Sequence, residues 1–91
     1  MNGPLAFNLG QNYPNPFNPQ TVVSYQLPIA AHVTLKVYDI LGREVATLVN
    51  EQKSRGRYDA VWDASGMASG VYLYRLQAGT YTATKRLLLL R

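Results

Sequence analysis

Thr21-Val22-Val23-Ser24-Tyr25-Gln26-Leu27 is the stretch on which the fold of this chain turns. Val23, Tyr25 and Leu27 alternate with Val22, Ser24 and Gln26, and a period of two puts the two sets on opposite faces of an extended strand. Residues 32–39 repeat the pattern, with Val33, Leu35 and Val37 against Thr34, Lys36 and Tyr38. Each stretch reads as a half-buried antiparallel strand. Pro28 and the Ala30-Ala31 link separate them.

The same reading extends to both ends of the chain. Leu41-Gly42-Arg43 is a tight turn, because Gly42 takes the positive φ that a hairpin demands. Residues 44–49 are the return strand; their pattern is weaker, and a short helical turn is the competing reading. Residues 50–56 are polar and read as a loop. Residues 57–63 form a strand with Tyr58, Ala60 and Trp62 on one face, and residues 64–70 are a turn or crossing. Tyr72, Tyr74 and Leu76 alternate with Val71, Leu73 and Arg75. Ala78-Gly79 turns the chain into residues 80–90, expected to be the last and longest strand. A first strand at 6–9 completes the set.

Seven short antiparallel strands predict an all-β fold, an immunoglobulin-like β-sandwich with Greek-key connections. Val23, Tyr25, Val33, Leu35, Val37, Trp62, Tyr72, Tyr74 and Leu76 are expected inside it. Trp62 and residues 72–74 stand about where such a domain keeps its core tryptophan and its tyrosine corner. The order of elements differs, so that comparison concerns architecture alone.

Composition agrees with one small folded domain. Of 91 residues, 47% are hydrophobic and 15% charged, which is enough apolar surface for a core. Stability of about 5–13 kcal/mol is expected at this length. There is no cysteine, so no disulfide and no thiolate metal site. The net charge of +4 is spread along the chain, which does not make a nucleic-acid footprint. No apolar run is long enough to span a membrane as a helix. The first nine residues lack the basic start and apolar stretch of an export signal, which is expected upstream if the parent protein is exported. Residues 1–6 are read as a linker or cloning remnant and residues 7–91 as the domain.

Asn12-Tyr13-Pro14-Asn15-Pro16-Phe17-Asn18-Pro19 is the most unusual stretch. Pro14, Pro16 and Pro19 fix φ and remove three backbone donors, giving a stiff, extended segment that joins no ladder. It reads as a rigid crossing over the open end of the sandwich, in preference to a polyproline ligand for an aromatic groove. Tyr13 and Phe17 are expected to anchor it in the core, with the asparagines satisfying nearby backbone groups.

Chemistry-bearing residues are sparse. His32 is the only histidine, too little for a metal site that needs several donors. Asp39, Asp59 and Asp63 lack the spacing of a calcium loop, and Asp63 in Trp62-Asp63-Ala64-Ser65-Gly66 reads as the start of an Asx turn. No serine has a base nearby other than His32, and no glycine-rich loop leads into a helix. The residues point to no enzyme, no metal and no cofactor. Tyrosines on exposed strand faces keep sugar binding open.

The ordered set of motifs resembles a known family. Residues 12–19, followed by Thr21, Tyr25, Leu27 and Pro28, resemble the opening of type A C-terminal sorting domains of the type IX secretion system. Lys36-Val37-Tyr38-Asp39, Leu41-Gly42-Arg43-Glu44-Val45, Gly56-Arg57-Tyr58, Trp62-Asp63, Ser69-Gly70-Val71-Tyr72 and Tyr74-Arg75-Leu76 follow in order. The ending Lys85-Arg86-Leu87-Leu88-Leu89-Leu90-Arg91 closes the match, which covers nearly the whole chain. Gln20 stands where many relatives have Thr or Glu. The Gly-x-Tyr and Trp-Asp portions are also similar to the immunoglobulin-like half of flagellar hook-capping proteins.

The resemblance implies a non-catalytic sorting signal that directs a larger upstream cargo across the outer membrane of a Gram-negative bacterium. It passes through the periplasm and ends secreted or at the cell surface. Its implied partners are the type IX translocon, shuttle and sortase; in many members the sortase removes the domain. The isolated domain is expected to be a monomer. Tyr13, Pro14, Pro16, Phe17, Pro19, Gly42, Trp62, Asp63, Gly70 and Tyr72 are the motif residues expected to build the fold. Lys85, Arg86, Leu87, Leu88, Leu89, Leu90 and Arg91 are the expected recognition run, on an edge open to β-augmentation. Removing Leu88 to Arg91 is expected to abolish sorting while leaving much of the fold intact. The competing reading is an accessory module for carbohydrate binding or surface adhesion.

Overall fold

The computed structural model describes residues 5–91, so residues 1–4 of the expected linker lie outside the described part. Seven strands follow one another: β1 (Asn8–Leu9), β2 (Gln20–Leu27), β3 (Ala31–Asp39), β4 (Glu44–Lys53), β5 (Gly56–Asp63), β6 (Gly70–Ala78) and β7 (Tyr81–Leu89). The seven strands pair with one another antiparallel throughout, in one sheet ordered β1-β2-β5 and another ordered β4-β3-β6-β7. The chain changes sheet between β2 and β3, β4 and β5, and β5 and β6, which makes the Greek key. In a constant-type immunoglobulin sandwich the fourth strand lies beside the fifth. Here β4 stays with β3, because a tight turn joins them. Asp39 Oδ1 accepts from the N–H groups of Leu41 (2.9 Å) and Arg43 (3.0 Å), and Gly42 sits at φ +88°.

Period two sorted the core correctly. Val23, Tyr25, Val33, Leu35, Val37, Trp62, Tyr72, Tyr74 and Leu76 are all buried, joined by Leu9, Leu27, Ala78, Leu87 and Leu89 from the strands. Phe17 and Ala64 add to them from the connections.

Strand lengths differ from expectation in three places. β4 runs on through Asn50, Glu51, Gln52 and Lys53, where the polar composition predicts a loop; these residues pair with Thr34, Val33, His32 and Ala31. An edge strand is held by its backbone and needs no apolar side chain on its outer face, so polarity alone does not end it. Two register shifts, at Leu35/Lys36 and Val37/Tyr38, interrupt the alternation along β4 and explain its weak pattern. β4 is a strand without a helical turn, and at 10 residues it is longer than β7 with 9. β1 is only Asn8–Leu9.

Two corners are built alike. Gly56-Arg57-Tyr58 opens β5 and Gly70-Val71-Tyr72 opens β6, with the glycines at φ +155° and +150°. The Tyr58 hydroxyl donates to the Ser54 carbonyl at 2.7 Å, and the Tyr72 hydroxyl donates to the Ala68 carbonyl at 2.6 Å, each four residues upstream. Tyr72 is therefore the tyrosine corner expected at the β5–β6 crossing, and Tyr58 repeats it at the β4–β5 crossing. Nothing lies within 4 Å of where a Cβ on Gly70 would be, so only the backbone demands glycine there. Gly70→Ala is expected to cost about 1–3 kcal/mol from backbone strain alone. Urea denaturation followed by Trp62 emission measures it, and a loss below about 0.5 kcal/mol, the ordinary surface range, would contradict the requirement.

Candidate functional site at the C-terminal strand

The crossing from β1 to β2 touches both sheets. Its first half lies along β2: Gly10 N–H donates to Ser24 O at 2.8 Å, and Tyr13 and Val22 exchange both backbone bonds at 2.9 Å. Its second half lies along β7: Phe17 N–H donates to Leu88 O at 3.0 Å, and Leu90 N–H donates to Phe17 O at 3.1 Å. Pro14, Pro16 and Pro19 have no N–H to offer, so pairing falls on the residues between them. All three X–Pro bonds of the segment are cis. Ala64 N–H then binds Pro19 O at 2.8 Å. The segment is a crossing as the sequence predicts, but it is bent rather than extended, and it bridges to β2 and β7 where no pairing was expected.

Only one of the two expected aromatic anchors is an anchor. Phe17 is buried, whereas Tyr13 is 79% exposed. Residues bridged across strands point their side chains to the same face. Tyr13 is bridged to Val22, which belongs to the outer face of β2, and Phe17 is bridged to Leu89, which points into the core. Tyr13 therefore holds the crossing through its backbone. The Phe17 ring lies 5.7 Å from Trp62, which meets Tyr72 edge-on at 5.4 Å. Crossing, β5 and β6 thus each place one aromatic in the same end of the core.

Polar groups under the crossing are fully partnered. Buried Asn12 donates to Thr21 Oγ1 (2.9 Å) and Pro14 O (3.2 Å), and Thr21 Oγ1 donates to Pro14 O at 2.8 Å. Tyr74 reaches across from β6: its hydroxyl donates to Gly10 O at 2.7 Å and accepts from Asn12 N–H at 2.9 Å. Burial raises its pKa, partly offset by the bond from the Asn12 amide. Sequence periodicity placed Tyr74 inside but carried no sign of this task, which rests on two backbone groups distant in sequence.

β7 is an outermost strand of its sheet, and its outer edge has two halves. In the second half, Arg86 O accepts from Gln11 Nε2 at 2.7 Å, Leu88 N–H donates to Asn15 Oδ1 at 2.9 Å, and Phe17 takes Leu88 O and Leu90 N–H. The chain end is tied as well, by Arg91 N–H to Ser69 Oγ at 3.0 Å and by the Arg91 guanidinium to Met67 O. In the first half, the same alternation turns the backbone of Thr82, Thr84 and the Arg86 N–H outward. Among the described residues nothing pairs with Thr82 or Thr84 along that edge.

The expected recognition run is consequently divided. Leu87 and Leu89 are buried in the core, and Lys85 and Leu88 are half-buried. Arg86, Leu90 and Arg91 are exposed. A continuous apolar run hides the alternation that separates them. Removing Leu88 to Arg91 takes away a core leucine and the seat of Phe17, so such a truncation reports on folding, contrary to the expectation that the fold largely survives it.

Asp63 Oδ1 accepts from Ser65 N–H at 2.9 Å and from its hydroxyl at 2.6 Å, the expected Asx turn; the Ser65 hydroxyl, then its N–H, holds the Asp63 pKa down. Asp59 accepts from Ser24 at 2.7 Å, and His32 meets Asn50 at 2.9 Å. Each acidic residue considered for calcium has its own local partner. An open apolar groove beside the chain end is lined by Ile40, Leu41, Val45, Met67, Val71 and Tyr72.

A Greek-key sandwich whose own crossing clasps its terminal strand is a small modular β-domain. Residues 11–90 match the family described as secretion system C-terminal sorting domain, and the chain belongs to that family. It is a C-terminal sorting signal for type IX secretion, carried as part of the cargo that this machinery moves to the outer membrane for secretion or surface display. No curated protein and no solved structure matches the chain.

Phe17→Ala is expected to cost about 3 kcal/mol, the range for emptying a buried phenylalanine site, and Tyr13→Ala to stay within about 0.5 kcal/mol. Tyr74→Phe leaves the buried Asn12 N–H and the half-buried Gly10 carbonyl without this partner and is expected to cost about 1–3 kcal/mol. Urea denaturation of the three variants tests all of these, and equal losses for Phe17→Ala and Tyr13→Ala would refute the assignment of Phe17 as the anchor.

Proposed function

We propose that the type IX machinery reads this domain in its folded form, at the accessible part of β7, and that the domain performs no chemistry itself. The observation that carries the reading is the divided edge of β7. The edge from the Arg86 carbonyl to Leu90 is sealed by the crossing, while Thr82, Thr84 and the Arg86 N–H turn outward backbone groups that have no partner among the described residues. Unpaired backbone on a sheet edge accepts an added strand, with the neighbouring side chains supplying selectivity. Lys85 and Arg86 place positive charge beside this edge, which speeds encounter with an acidic acceptor. Gly42, Trp62, Gly70 and Tyr72 serve the fold that presents it.

In this reading the domain meets the translocon and its shuttle from the periplasm, and a sortase then removes it. The cargo is released or joined to an anionic lipopolysaccharide. A carbohydrate-binding module would need a planar row of exposed aromatics. Trp62 is buried, and Tyr13 is the one strongly exposed aromatic among the described residues, so that alternative has no platform.

The test is a periplasmic reporter carrying the chain at its C-terminus in a type IX-competent host. Thr84→Pro removes an N–H that points away from β6 and leaves the β6–β7 ladder intact, the edge position where proline is tolerated. The variant is expected to keep its β-sheet circular dichroism and Trp62 emission while its reporter accumulates in the periplasm. A folded Thr84→Pro domain whose reporter reaches the surface at the normal rate would overturn the reading.

A further inference from the structure

Each sheet edge of this domain is treated differently. β1 has 2 residues, β4 carries two register shifts, and the second half of β7 is covered by the crossing. Among the described residues β5 has none of these protections. Its 8 residues, Gly56–Asp63, pair with β2 in unbroken register and end their sheet on the other side. The N–H of Ala64 points toward β2, to Pro19 O, so by alternation Trp62, Ala60 and Tyr58 bond to β2. Arg57, Asp59, Val61 and Asp63 then turn their backbone groups to the open edge. All four have exposed side chains, and Val61, a β-branched residue, is 58% exposed.

We infer that this edge pairs with the same edge of a second copy of the chain, antiparallel about a two-fold axis at Ala60. The charges select that register. Centred on Ala60, Arg57 of each copy stands opposite Asp63 of the other, and Asp59 stands opposite Val61. All of these are outward-facing residues, so each pair exchanges both of its backbone bonds. Sliding the centre by one residue toward Asp59 sets Asp59 against its own copy. Sliding it toward Val61 sets Asp59 against Asp63 twice, and like charges directly opposite are destabilising. A centre on Tyr58 keeps an Arg57–Asp59 match but overlaps about half as many outward residues.

An isologous contact of this kind needs the same patch to be complementary to itself, and residues 57–63 meet that condition. The product is one continuous sheet ordered β1-β2-β5-β5-β2-β1. It buries less than roughly 1,000 Å² and is therefore a weak dimer. This departs from the monomer expected from sequence, and it is independent of how the machinery reads β7.

Charge reversal tests it. Arg57→Asp sets Asp against Asp63 at both ends of the pairing, and Asp63→Arg sets Arg against Arg57. Each is expected to weaken the dimer about tenfold or more, from two like-charge pairs replacing two favourable ones. Mixing the two variants restores both opposite-charge pairs, so the mixture is expected to dimerise where neither variant alone does. Sedimentation equilibrium reads this, with circular dichroism checking each fold. Asp63→Arg also removes the partner of Ser65, so Val61→Pro supplies a second route: it deletes an outward N–H and is expected to abolish the dimer with Trp62 emission unchanged. A wild-type chain that stays monomeric up to about millimolar concentration, where a weak strand-paired contact is populated, refutes the inference. So does a folded Val61→Pro variant that dimerises like wild type.

Discussion

A backbone bond between Phe17 and Leu88, with its return from Leu90, holds the two sheets of this domain together at one end. The bridge fixes which way Phe17 faces, and Phe17 then fills the space beside Trp62. Because Leu89 faces inward, the residue bridged to it must too. The aromatic cluster, the covered half of β7 and the course of the crossing all follow from that one geometric requirement. Prolines around it remove competing donors, and Tyr74 ties down the upstream end.

Much of the fold was legible because half-buried strands advertise themselves. Val23-Ser24-Tyr25 and Val33-Thr34-Leu35 could be sorted into inner and outer faces residue by residue. Residues 50–53 could not, since an edge strand is specified by backbone pairing with β3 and its side chains are free to be polar. The run Leu87 to Leu90 failed for the opposite reason: all four residues are apolar, so nothing in composition separates the core leucines from Leu88 and Leu90. Tyr13 and Phe17 look equivalent in sequence, and only their bridge partners distinguish them.

The candidate site was legible in location but not in kind. Family motifs pointed to the terminal strand, and the strand does lie at a sheet edge. That its second half is already occupied by Gln11, Asn15 and Phe17 depends on contacts across more than seventy positions, which no local pattern encodes. The paired Gly-x-Tyr corners are a different case. Gly56-Arg57-Tyr58 and Gly70-Val71-Tyr72 are visible as repeated triplets, and each hydroxyl closes the loop just upstream of it. Once one is understood, the other can be read from sequence.

Clasping a C-terminal strand with an N-terminal segment also has a temporal meaning. Phe17 leaves the ribosome long before Leu89, and until Leu89 arrives it has neither its backbone partner nor a place to bury its ring. The sandwich closes last where the chain is youngest. A polypeptide interrupted before that point carries every earlier motif and still lacks the finished shape. Closure of the sandwich over Phe17 therefore waits on the strand that carries Leu89.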